Sequence, residues 1–149
     1  MVTSIRFDKA IKKLYLAFHK NTLNPEDCKQ CAVGNILDNQ DAWKHLTDKH
    51  GSVKLNYLGI LHQNLGKRFN GYAPIELLKI ENAFLRGCGY EIKTNNRLYQ
   101  PDVIDTHALF KGLCEVVSQL CELDNIDNVM DCSVLFAFND KSKAVLEIA

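Results

Sequence analysis

Four residues have types and spacing that suggest chemistry: Cys28, Cys31, His45 and His50. They read Cys-x2-Cys-x13-His-x4-His, which fits the template of a cysteine pair, 12–15 residues and a histidine pair. Zinc takes four soft or borderline ligands in a tetrahedron. Two thiolates and two imidazoles would fill it with no open position, so such a site would be structural. Two other readings use the same residues. Cys28 and Cys31 on the first turns of a helix could do redox chemistry, because a thiol there has a lowered pKa and becomes a better nucleophile. Alternatively, both sulfurs face the core with Ala32 and Ile36, and His45 and His50 are ordinary surface residues. The zinc reading has a geometric difficulty. On a continuous helix, residues five apart diverge around the axis, so His45 and His50 converge only if the helix frays near Lys49. The redox reading has its own difficulty, since no strand and no βαβ pattern precedes the pair.

These residues need elements to hold them. A helix is expected over 5–20, with Phe7, Ala10, Ile11, Leu14 and Phe18 on one face and lysines on the other. Asn24-Pro25-Glu26-Asp27 is a helix start, with Asn24 as cap and Pro25 in the first turn. That helix would run through Cys28 and Cys31 to about Asp38, weakened by Gly34. Asp41 caps a short helix over 42–49, closed by Gly51. Residues 54–66 fit a helix, with a short strand at 53–57 as the alternative. The clearest helix begins at Pro74 and runs to Arg86, ended by Gly87 and Gly89. Residues 90–101 are polar and read as a loop. Asp102 caps a last long helix over about 103–122, with Phe110, Leu113, Val117 and Leu120 in its apolar stripe. Residues 134–138 and 144–148 fit either short strands or short helical pieces. The expected fold is all-α or mostly α, a compact bundle of five to six helices in one domain, 1–149, with short C-terminal strands left open.

Other candidates are weaker. Glu81, beside Ile80 and Phe84-Leu85, is expected to be capped by a lysine or arginine. His107 lies on an apolar stripe, where a histidine is usually a satisfied core residue. His19 and His62 have no sequence partner. Gly66-Lys-Arg-Phe-Asn-Gly71-Tyr combines cations and aromatics, which can hold phosphates and stack bases. The alternative is a tight loop anchored by Phe69 and Tyr72. No phosphate-cradling glycine loop and no Gly-x-Ser-x-Gly elbow occurs. No residue is assigned a catalytic role, and an enzyme is not the favoured reading.

Composition bounds the class. The chain has 149 residues, 46% apolar and 24% charged, which excludes a disordered chain or a fibre. No run approaches the roughly 20 apolar residues of a membrane span. The first residues lack the apolar stretch of a signal peptide, so a soluble, cytoplasmic protein is expected. In that compartment the six cysteines should be reduced, buried or metal-bound. Cys114 and Cys121, seven apart, read as buried small hydrophobes.

The net charge is zero, yet residues 1–97 hold 15 Lys/Arg against 9 Asp/Glu and residues 98–149 hold 3 against 9. Either the basic part meets an anionic partner, or the two parts attract each other within one chain or across a homodimer. Neutrality favours attraction, with Lys9, Lys12, Lys13, Lys67 and Arg68 near Asp102, Asp105, Glu115, Glu122, Asp124 or Asp127, and argues against a nucleic-acid binder.

Three stretches resemble a small family of bacterial proteins. They are Asp27-Cys-Lys-Gln-Cys-Ala-Val-Gly-Asn-Ile-Leu-Asp38, Leu55-Asn-Tyr-Leu-Gly59 with Asn64-Leu-Gly-Lys-Arg-Phe-Asn-Gly-Tyr72, and Phe84-Leu-Arg-Gly-Cys-Gly-Tyr90. The resemblance covers roughly residues 5–132. Members bear the name of the flavin-carrying component of the sodium-translocating NADH:quinone reductase, whose full-length form has a membrane anchor, a two-iron ferredoxin domain and a flavin domain. A plant-type two-iron cluster needs Cys-x4-Cys-x2-Cys and a distant fourth cysteine, and this chain has one Cys-x2-Cys. The resemblance therefore implies a small protein without those domains and assigns no catalytic residue.

Overall fold

The computed structural model describes residues 3–92, 98–99, 104–128 and 130–138. Its elements are α1 (Ile5–His19), α2 (Ala32–Ile36), a 3-10 helix η1 (Ala42–Leu46), α3 (Tyr57–Asn64), α4 (Pro74–Cys88), α5 (Thr106–Leu123) and α6 (Cys132–Leu135). The protein is helical, as the periodicity predicts. Within the stretch read as a loop, β1 (Glu91–Ile92) and β2 (Leu98–Tyr99) pair antiparallel over two residues each. Residues 134–135 are helical rather than extended. Residues 144–148 lie outside the described residues.

Capping explains where the long helices begin. The Ser4 hydroxyl accepts from the Phe7 amide and starts α1. Asp105 caps α5 by accepting from the Ala108 amide at 2.9 Å. Asp102, expected in that role, lies outside the described residues. Ala73 has no capping side chain, so α4 relies on Pro74 in its first turn and on Glu76, whose carboxylate accepts from the Ala73 amide at 2.8 Å. Gly89 ends α4 at φ 107°, a left-handed conformation that costs other residues energy.

The core lies between α1, α4 and α5. Leu77, Leu78, Ile80 and Phe84 of α4 meet Leu113, Val116, Val117 and Leu120 of α5, all buried. The two helices approach closely because glycine faces glycine. A Cβ on Gly87 would stand 2.7 Å from the Gly112 Cα, and one on Gly112 would stand 2.5 Å from the Cys88 sulfur. α1 closes one side with Phe7, Leu14 and Phe18.

The helix expected through residues 24–38 does not form as one piece. Asn24 and Asp27 turn their side chains onto the amides of Glu26 and Lys29, both at 2.9 Å. Such local bonds give the backbone an alternative to the helix. The chain makes turns as far as Cys31, and α2 starts only at Ala32. Cys28 and Cys31 therefore do not share a helix face. η1 is likewise a short 3-10 piece, and Asp41 makes no side-chain cap there.

Among the described residues, two of the named cations pair within the basic part. Lys13 pairs with Asp38 at 2.8 Å and Arg68 approaches Glu76 at 3.8 Å, both within the basic part. One strong link does reach the acidic part. Arg6 pairs with Glu76 and with Asp124, donates to the carbonyls of Gly71 and Leu123, and stacks 4.4 Å over the Tyr72 ring. In the 66–72 loop Tyr72 is fully buried, and Phe69 and Tyr72 exchange backbone hydrogen bonds. The anchored-loop alternative is the one observed. Among the described residues no helix is long and apolar enough to cross a membrane.

Candidate functional site

The turn before α2 carries Cys28 at half-buried depth. Four side-chain hydrogen bonds to backbone carbonyls hold this turn. The Asn35 side chain donates to Gln30 at 2.8 Å and to Cys31 at 3.0 Å, and the Asn39 side chain donates to Lys29 at 2.8 Å. The Trp43 indole N–H donates to the Cys28 carbonyl at 3.1 Å. Gly34 lets the turn fold back onto α2. A Cβ there would stand 2.4 Å from the Cys28 oxygen and 2.5 Å from the Lys29 carbonyl carbon.

Cys31 is fully buried at the head of α2. Its sulfur accepts from the Gly34 amide at 3.3 Å, and its thiol donates to the Cys28 carbonyl at 3.7 Å. Burial pushes the Cys31 thiol well above the ordinary range, and the charge of Glu81 adds to it. Cys31 is therefore a protonated thiol lying against the backbone of Cys28.

His50 comes from the loop after η1. The Asn82 side chain ties the next residue to α4 by donating to the Gly51 carbonyl at 2.9 Å. The imidazole lies between two groups. Nδ1 is 3.6 Å from the Cys28 sulfur, within the range of hydrogen bonds to sulfur. Nε2 is 2.9 Å from the Pro25 carbonyl and 3.2 Å from Glu81 Oε2. A carbonyl only accepts, so Nε2 carries a proton. That N–H points at Pro25, and Glu81 Oε2 sits alongside as a charge contact without an aligned hydrogen bond. The other Glu81 oxygen accepts from the Val33 amide at 3.3 Å.

Burial alone would lower the His50 pKa, but the contact with Cys28 and the adjacent Glu81 carboxylate outweigh it and push it up to about 10. The ring is cationic at neutral pH and presents Nδ1–H to the Cys28 sulfur. A thiol and an imidazole in contact, with the Pro25 carbonyl holding the ring and a carboxylate beside it, form the arrangement of an activated nucleophile.

Of the four sequence candidates, Cys28 and His50 meet, and Cys31 lies against the Cys28 backbone. His45 is exposed on η1, where its carbonyl accepts from the Asn56 side chain at 2.8 Å. Among the described residues no group of three or more His, Cys, Asp or Glu is placed to hold a metal ion.

Glu81 is the residue the sequence misassigned. It is fully buried and meets His50 and the Val33 amide rather than a lysine or arginine. The signal was present, since a carboxylate on the apolar stripe of α4 needs a buried partner. Trp43 was also missed, because its role is to fix a carbonyl. Cys88, near Glu81, is pushed to about 12 by burial first and by that carboxylate second, which leaves it an inert thiol.

Comparison of the chain with protein families, curated proteins and solved structures finds no match in any of the three.

Proposed function

We propose that the chain is a dithiol redox protein in which Cys28 attacks and Cys31 resolves. The observation that carries this reading is the 3.6 Å contact between Cys28 Sγ and His50 Nδ1. The Cys28 thiolate attacks one sulfur of a partner disulfide and expels the other as a thiolate, which takes a proton from solvent. Cys31 gives its proton to Glu81 and attacks the Cys28 sulfur. A Cys28–Cys31 disulfide forms and the second partner thiolate leaves, so two electrons pass from the pair to the partner. His50 directs its Nδ1 at the attacking sulfur, and the half-buried position of Cys28 leaves it reachable.

Two cysteines three residues apart, one accessible and one buried, support redox exchange over hydrolysis, because hydrolysis has no use for the second thiol. Structural zinc on Cys28, Cys31, His45 and His50 would require His45 to leave its exposed place on η1.

The test follows the rate of Cys28 alkylation by iodoacetamide from pH 5 to 9, in the wild type and in His50→Gln. The second measurement is the Cys28–Cys31 disulfide at equilibrium with glutathione buffers. Expected are a Cys28 rate above that of a simple thiol, its loss in His50→Gln, and one internal disulfide. A Cys28 rate matching a simple thiol in both proteins overturns the proposal. So does one zinc per chain that is lost in Cys28→Ser.

A further inference from the structure

α3 is built inside out. At 3.6 residues per turn, Ile60, Asn64, Tyr57, Leu61, Leu65 and Leu58 fall in that order around its axis, within about 160° of arc. All six are exposed, Tyr57 at 83% and Leu65 at 72%, and five of them are apolar. The inward side carries Gly59, His62 and Gln63 instead. Gly59 is buried against η1, where a Cβ would strike the Leu46 carbonyl oxygen. Gln63 turns its side-chain carbonyl onto the Ile75 amide at 3.0 Å. The Asn56 side chain caps the helix, accepting from the Gly59 amide and donating to the His45 carbonyl, both at 2.8 Å. A surface helix ordinarily does the reverse, with its apolar stripe toward the core and its polar residues outside. Cations bracket the exposed face. Lys54 precedes α3 by three residues, and Lys67 and Arg68 follow it, all exposed. No Asp or Glu occurs between Asp48 and Glu76. Lys67 lies 5.0 Å over the Phe69 ring rather than on a carboxylate. Lys49 and Lys54 line one hollow with Tyr57 and Ile60, and Asp48, in the same lining, accepts from the Asn56 side chain at 3.2 Å.

We propose that α3 and its flanking lysines form a docking surface for an anionic lipid bilayer, on which the protein lies without crossing it. Charge complementarity selects this occupant. With cations at both ends of α3, a second copy would set cation against cation in either direction, and like charges across an interface repel. A protein partner needs about 800 Å² from each side. α3 has eight residues and is about 12 Å long, a short convex ridge. A bilayer needs no matching shape. The apolar side chains enter the boundary between headgroups and acyl chains, Tyr57 sits at headgroup level, and the lysines extend to the phosphates. Binding of this kind needs no spanning helix. The surface does not depend on the Cys28 site, which is built on different elements.

The experiment mixes the whole chain with vesicles of phosphatidylcholine alone, or of phosphatidylcholine with phosphatidylglycerol, and separates bound from free protein by flotation. Binding to the anionic vesicles should be at least about tenfold tighter than to the neutral ones, and should weaken as salt screens the lysines. Tyr57→Ser/Leu61→Ser, checked for folding by circular dichroism, should lower binding by about tenfold or more, because two apolar anchors are lost. Lys54→Glu/Lys67→Glu should lower binding to anionic vesicles by about tenfold or more, since each lysine is drawn to the anionic surface. Val134→Ser on α6, exposed at 77%, should change nothing. Cys28→Ser should bind like wild type, which separates this surface from the thiol site. No flotation, equal binding to neutral vesicles, or an equal loss in Val134→Ser overturns the proposal. So does a dimer in lipid-free solution that Tyr57→Ser/Leu61→Ser converts to monomer, which would assign the face to a second copy. Retention on polyglutamate without flotation would assign it to an acidic chain and overturn the proposal as well.

Discussion

Glu81 Oε2 lies 3.2 Å from His50 Nε2, and the carboxylate has no exposed surface. A charge so placed is stabilised only by its partners, and removing one partner leaves the other charge buried and unpaired. Glu81→Ala should therefore cost about 3–5 kcal/mol, the range for breaking a buried ion pair. Glu81→Gln should cost less, because its amide oxygen still accepts from Val33. Urea unfolding of both variants checks this, and a loss for Glu81→Ala within experimental error of zero would show the pair is not formed.

The His50–Glu81 contact also sets a pH dependence. The folded pKa of His50 is about 10, above the ordinary 6.5. A raised basic pKa adds stability that is complete below the unfolded value and disappears as pH rises through the folded one. Unfolding free energy should fall between about pH 6.5 and pH 10. In His50→Gln that slope should flatten. An equal slope in the two proteins would assign the effect elsewhere.

Arg6 should behave as the joint between α1 and the end of α5. It pairs with Glu76 and Asp124, and the Asp124 side chain is only 7% exposed. Arg6→Ala should cost about 3 kcal/mol by leaving that carboxylate buried. Arg6→Lys should recover only part, because an ammonium cannot serve two carboxylates and two carbonyls with a planar fork. Thermal unfolding of the two variants reads the difference, and full rescue by lysine would mean that charge alone matters.

Gly112→Ala should strain the α4–α5 contact. The new methyl meets the Cys88 sulfur at 2.5 Å and the Phe84 ring at 2.9 Å. Forcing one carbon into a packed core costs about 1–3 kcal/mol. A double variant with Cys88→Ala should regain stability, since it removes the nearest atom. Additive losses in the two single variants would place the strain elsewhere.

The long helices were legible because each repeats apolar residues over four or five turns. α1, α4 and α5 carry such stripes, and Ser4 and Pro74 mark two of the starts. The 24–38 segment was not legible as one helix. Asn24 and Pro25 are good helix-start residues, but Asn24 and Asp27 are equally good turn residues, and side chains from outside the segment decided between them. The Asn39 and Trp43 side chains hold the Lys29 and Cys28 carbonyls. At the site, the Cys-x2-Cys pair and His50 stood out by type. Their grouping did not, because Glu81 joins from a helix thirty-one residues further along the chain than His50, and one sequence carries no signal of that pairing.

Gly34 has no chemistry of its own, yet the turn bearing Cys28 closes only because that position lacks a side chain. In a saturation mutational scan scored for thiol reactivity, Gly34 should tolerate as few replacements as Cys28 does. A ranking by tolerance alone would place it among the reacting groups. Only its failure in abundance, as well as in reactivity, would reveal it as scaffold.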